Sequence, residues 1–131
     1  MRTTLLLALA AIFTAMTTTS TFAADAADHA GKKLYHVVSF KFKADAPKER
    51  ITAVEQAFVA LKGKIPSIQT LTWGINNSGE KKDKGFTHTF IITFKDEAGR
   101  AEYLPHPDHK AFGGTLKGII DDVMVIDFWG E

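Results

Sequence analysis

Phe86-Thr87-His88-Thr89-Phe90-Ile91-Ile92-Thr93-Phe94-Lys95 alternates without a break between two faces. Phe86, His88, Phe90, Ile92 and Phe94 fall on one side, and Thr87, Thr89, Ile91 and Thr93 on the other. A period of two over ten residues, rich in β-branched and aromatic side chains, is the pattern of a strand with one buried face. Leu34 to Lys43 repeats it. Leu34, His36, Val38, Phe40 and Phe42 share a face opposite Tyr35, Val37, Ser39, Lys41 and Lys43.

Between these strands the period changes. Asp45 and Pro47 signal a helix start, and Ile51, Val54, Phe58, Leu61 and Ile65 follow at three- and four-residue spacing, one apolar helical stripe. Gly63 and Pro66 close it. Ile68 to Ile75 reads as a second strand, ending in the turn-rich Asn76-Asn77-Ser78-Gly79. The basic run Lys81-Lys82-Asp83-Lys84 fits a solvated hairpin loop. After the third strand, Asp96 can cap a short helix through Tyr103 that Pro105 stops, and Pro107 can open another. Val123 to Trp129 is a closing β-branched and aromatic strand.

The order strand, helix, strand, strand, helix, strand predicts an α+β domain of ferredoxin-like βαββαβ topology, with helices on one face of an antiparallel sheet. The other face would carry Val37, Ile91 and parts of the second and fourth strands, a plausible dimer surface for a domain of marginal size.

The first residues have a separate character. Arg2 precedes an apolar run from Leu5 to Met16, then a polar Thr17 to Thr21 and the small residue Ala23. This is a secretory signal pattern over residues 1–23, with cleavage after Ala23 or Ala26. The apolar run is short for a membrane span. A soluble periplasmic or secreted protein is therefore expected, with no membrane association after signal removal. Residues 24–33 read as a flexible leader, and 34–131 as the folded domain. The chain has no cysteine, which excludes disulfides, thiolate metal sites and a lipid-anchoring cysteine. The net charge is +1 and the lysines are scattered, so no basic face wide enough for nucleic acid is expected.

The densest concentration of chemistry is Tyr103-Leu104-Pro105-His106-Pro107-Asp108-His109. Phenol and imidazole are groups that move protons, and the prolines fix the backbone between them. His109 falls in the first turn of a helix opened by Pro107, whose positive end works against an imidazolium and favours a ring able to accept a proton. Tyr103 could then hydrogen-bond an enolate oxygen while His109 removes a proton beside a carbonyl. His36 and His88, on the apolar faces of two neighbouring strands, would point toward the same helices, so all four could line one pocket, with Phe90 and His106 as further ligand contacts. Each has a structural alternative. His36 and His88 also fit core histidines, His106 a turn brace or helix cap, and Tyr103 a helix residue with a wet hydroxyl. His106 and His109 are spaced i, i+3, but the residue before Pro107 is biased out of helical geometry and no further ligand completes a metal site. Neither metal nor cofactor is expected. Trp73 and Trp129 read as core or interface aromatics.

These segments together resemble the stress-responsive A/B barrel (Dabb) family of dimeric α+β barrel proteins. The resemblance is carried by His36-Val37-Val38-Ser39-Phe40-Lys41-Phe42, Ile65-Pro66, Trp73-Gly74, Gly85-Phe86-Thr87-His88, the Tyr-x-x-His-Pro-x-His motif from Tyr103 to His109, and Val125-Ile126-Asp127-Phe128. It implies a protomer that pairs sheet to sheet into a homodimer, a dimeric α/β barrel. Some members of the family are stress-induced plant proteins, many have no assigned activity, and others are polyketide cyclases. In the cyclases the tyrosine and last histidine of the motif form the acid/base pair, which implies Tyr103 and His109 here. The strand-one histidine lines their pocket, which implies His36. The export pattern is a departure from the cytosolic plant cyclases. The expectation is a small organic ligand handled by a cofactor-free cyclase, lyase or isomerase, or a non-catalytic ligand-binding or stress-response dimer.

Overall fold

The computed structural model describes residues 28–131. The signal pattern at residues 1–23 and both cleavage positions lie outside the described residues. Within them the chain runs β1 (Leu34–Phe42), α1 (Lys48–Lys64), β2 (Thr70–Ile75), β3 (His88–Phe94), α2 (Glu97–Tyr103), α3 (Pro107–Thr115) and β4 (Ile120–Trp129). The four strands form one antiparallel sheet in the order β2-β3-β1-β4, the ferredoxin-like arrangement, with the helices on one face.

Register decides which side chains meet. His36 lies opposite Ile92 of β3 and Asp127 of β4, while Phe40 lies opposite His88 and Val123. Leu34, His36, Val38 and Phe40 therefore share the helix-facing side with His88, Phe90, Ile92 and Phe94, and all eight are buried. Against them α1 presents Val54, Phe58 and Leu61 at helical spacing. The centre of this core is aromatic. Phe58 stacks on Phe90 at 4.1 Å and meets Phe112 edge-on at 4.9 Å, and Phe40 meets Phe90 edge-on at 5.7 Å. Each buried ring contributes roughly 1.5–3 kcal/mol from area alone.

The opposite face of the sheet has no helix. It carries Tyr35 and Val37 of β1, Ile91 of β3, and Met124, Ile126 and Phe128 of β4. The last three are 39%, 48% and 47% exposed, an apolar surface beyond what isolated exposed residues would make.

Helix ends follow local chemistry. The Asp96 side chain accepts from the Gly99 N–H at 3.0 Å and starts α2. Pro105 then breaks the chain, and His106 caps α3 by accepting the Asp108 N–H on Nδ1 at 3.2 Å. α1 starts without a side-chain cap: Pro47, not Asp45, occupies the cap position. The lysine-rich run forms the β2–β3 connection, where Lys81, Lys84 and Gly85 take positive φ. At the end of the leader, His29 stacks on Trp129 at 4.2 Å and the Lys33 carbonyl accepts from the Gly130 N–H at 2.9 Å.

Candidate functional site

α2 and α3 meet β1 and β4 at a cavity of about 380 Å³. Its apolar wall is Val38, Phe40 and Phe58 toward the core, Phe112 and Leu116 from α3 and its end, and Val123 and Val125 from β4. Its polar side groups are His36, Tyr103, His109 and Lys110. β4 is an edge strand, and its helix-facing valines stay partly exposed because the helices leave this end of the sheet uncovered.

Tyr103 and His109 come together because Pro105 turns the chain between α2 and α3. Their ring centroids are 4.3 Å apart at 40°. His109 Nδ1 lies 2.9 Å from the Leu104 carbonyl oxygen, which can only accept, so Nδ1–H donates and the lone pair of the neutral ring is on Nε2. Tyr103 is fully buried, and its hydroxyl has no hydrogen-bond partner among the described residues. Burial pushes the phenol well above its ordinary pKa, so it remains a proton donor through the neutral range.

His36 supplies the opposite wall. Its ring stands edge-on to Tyr103 at 5.6 Å, and its Nδ1 donates to Asp127 Oδ1 at 2.6 Å. Asp127 Oδ2 accepts from Arg100 Nη1 at 2.8 Å, and Arg100 Nη2 donates to Glu97 Oε1 at 3.1 Å. This chain holds the imidazole in one orientation and ties β4 to α2. Asp127 and Arg100 were not singled out from the sequence. The readable signal was a lone acid on the helix-facing side of an apolar strand, two residues beyond Val125.

The structure corrects the expectation that every candidate would line this pocket. His88 lies four residues along β3 from Ile92, the partner of His36, and so sits toward the far end of the sheet. There its Nε2 donates to Glu55 Oε1 at 3.0 Å, Nδ1 meets the Thr87 hydroxyl at 2.8 Å, and Phe42 packs edge-on at 5.0 Å. Phe90 is a core ring between Phe58 and Trp73, closed off from the cavity by α1. His106 is the α3 cap, and its ring is engaged by the Asp108 backbone. Among the described residues, no group of three or more His, Asp or Glu side chains is placed to hold a metal ion.

A protomer of this topology, with a helix-side cavity lined by a Tyr-x-x-His-Pro-x-His segment, defines an α+β barrel-type domain. The chain belongs to the Dabb family: the model of the stress responsive A/B barrel domain matches residues 34–130. It is similar to olivetolic acid cyclase from Cannabis sativa, 25% identical over 93 residues, which cover 71% of this chain and 92% of that protein. The crystal structure of the Arabidopsis thaliana protein At3g17210 superposes with a TM-score of 0.70 at 32% identity, covering 75% of this chain and 95% of that one. A dimeric ferredoxin-like protein from Jannaschia sp. CCS1 superposes with a TM-score of 0.63 at 27% identity, covering 73% of this chain and 97% of that one.

Proposed function

We propose that the protein is an exported, periplasmic or secreted homodimer. Each protomer's cavity takes a small organic carbonyl compound and carries out cofactor-free acid/base chemistry on it, as a cyclase, lyase or isomerase. The observation that carries this reading is the pairing of a buried, unpartnered phenol with an imidazole whose Nδ1 is already occupied. An unsatisfied buried hydroxyl costs about 1–3 kcal/mol, which a ligand oxygen accepting its proton would recover. Similarity to olivetolic acid cyclase supports the cyclase form, the dimeric Jannaschia protein and the apolar open sheet face support the dimer, and the signal pattern supports export.

His109 Nε2 takes a proton from the carbon beside the substrate carbonyl, and the C–H electron pair becomes the C=C bond of an enolate. Tyr103 O–H donates to the enolate oxygen, where charge develops. In a cyclase the enolate carbon then forms a C–C bond to a second carbonyl carbon of the same molecule, and that carbonyl's oxygen takes the proton from His109. In an isomerase the proton returns to a different carbon. The apolar wall from Val38 to Val125 would hold the rest of the substrate away from water. His36, held by Asp127, faces the phenol and positions the reacting end.

The same cavity would serve a non-catalytic ligand-binding or stress-response dimer, which the family's description favours. A screen of small carbonyl compounds on the mature protein, beside Tyr103→Phe and His109→Ala, separates the two. Turnover lost in both variants is the expected result. Turnover unchanged in both would remove the assigned roles, and binding without turnover would favour the second reading. N-terminal sequencing of the protein recovered from outside the cytoplasm tests export.

A further inference from the structure

Among the described residues the Lys110 side chain has no partner that accounts for it. It lies in the first turn of α3, where its N–H makes the bond to the His106 carbonyl at 3.0 Å. A cation at that end opposes the helix dipole. Ion pairs along a helix form at three- or four-residue spacing, and Lys110 has Pro107 and His106 on one side and Gly113 and Gly114 on the other, none of them an acid. Asp108, the nearest carboxylate in the chain, faces Lys64 at 3.7 Å and His106 at 3.6 Å. Among the described residues the Lys110 ammonium makes no hydrogen bond or ion pair.

Its placement in the cavity is specific. His109, Phe112, Gly113 and Leu116 form the helical stripe that lines the site, and Lys110, one residue round from His109, lines it as an exposed side chain at the rim. The other cation nearby, Arg100, is already bound to Asp127 and Glu97. Among the described residues that line the cavity, Lys110 is the one basic side chain besides the histidines.

We propose that Lys110 is the specificity residue of this cavity and selects a carbonyl compound that carries a carboxylate, a keto acid with an apolar remainder. The apolar part occupies the floor formed by Phe40, Phe58 and Phe112. The ketone reaches Tyr103 and His109, and the carboxylate, a few bonds away, meets the Lys110 ammonium at the mouth. There it is only partly desolvated, and a charge-assisted hydrogen bond is shorter and stronger than a neutral one. This inference deepens the reading of the cavity as a carbonyl site and rests on it.

The test uses benzoylpropionate and its methyl ester as probes on the mature protein and on Lys110→Gln and Lys110→Arg, with dissociation constants from ligand-observed NMR at low and high salt. The expected wild-type preference for the acid over the ester is about five- to tenfold at low salt, shrinking as salt is added. Lys110→Gln should abolish that preference and leave ester affinity unchanged, and Lys110→Arg should keep it. Absence of the preference in the wild type, or its survival in Lys110→Gln, overturns the proposal. Deuterium exchange at the methylene beside the ketone, followed in the same samples, reports the acid/base reading independently. Discrimination without exchange would retire the chemistry and keep the selectivity, and exchange without discrimination would do the reverse.

Discussion

His36 and Asp127 are direct cross-strand partners of β1 and β4, and the imidazole Nδ1 donates to the carboxylate at 2.6 Å. A strand pair sets backbone spacing closely, so this contact is built into the register rather than left to a flexible loop. The carboxylate also receives Arg100, which brings α2 under the same constraint. One wall of the cavity is thus held by the sheet and the other by the Pro105 turn.

Replacing the carboxylate tests that constraint. In Asp127→Asn, Arg100 keeps Glu97 but loses the charge of its second partner, and the amide can offer His36 either its oxygen or its NH₂. The expected cost is about 1–3 kcal/mol in urea unfolding. Ring nitrogen NMR should show the Nδ1–H tautomer of His36 in the wild type and a mixture in the variant. A wild-type ring with its proton on Nε2 would contradict the assignment.

Tyr103→Phe removes a buried hydroxyl that has no partner. Its stability in denaturant should match or exceed the wild type, by up to about 1 kcal/mol, because no hydrogen bond is lost. Turnover of a carbonyl substrate should nevertheless fall by about a hundredfold or more, the usual loss when a donor to a developing oxyanion is removed. A variant that loses stability and keeps turnover would reverse both roles.

The same phenol sets an alkaline limit. Burial raises its folded pKa above the ordinary value of about 10. Above that pH the unfolded chain releases the proton while the folded chain retains it, so stability is full below about pH 10 and falls as pH rises beyond it. The expected slope from this group is about 1.4 kcal/mol per pH unit, absent in Tyr103→Phe. Tyrosinate absorbance from Tyr103 should appear only with unfolding.

The open sheet face makes a separate prediction. Ile126 lies at its centre opposite Val37, beside the Tyr35–Phe128 stack at 5.0 Å. Ile126→Lys places a charge in a patch proposed to pair with its own copy. The dimer dissociation constant measured by sedimentation should rise by about tenfold or more. A wild-type chain that sediments as a monomer would remove the dimer from the proposal.

The strands were legible because β1 and β3 alternate along their whole length, and α1 because Val54, Phe58 and Leu61 repeat at its period. Alternation tells which face a residue takes but not how far along the sheet it lies. His36 and His88 therefore looked like neighbours, and the β1–β3 register separates them. Phe90 shares a face with His36 yet is sealed by Phe58, a tertiary contact that no spacing within β3 encodes. The Tyr103–His109 pair was legible because Pro105 forces a turn between two short helices. The Leu104 carbonyl that fixes the imidazole is a backbone group and leaves no mark in the residue pattern.

The central claim is that Tyr103 and His109 act together on a carbonyl compound, and solvent deuterium exchange at the carbon beside the ketone of benzoylpropionate tests it most directly. The wild type should catalyse exchange above the buffer rate, with His109→Ala reduced to that rate and Tyr103→Phe slowed by about a hundredfold or more. Exchange at the buffer rate in the wild type while the probe is bound, or full exchange in His109→Ala, would contradict it.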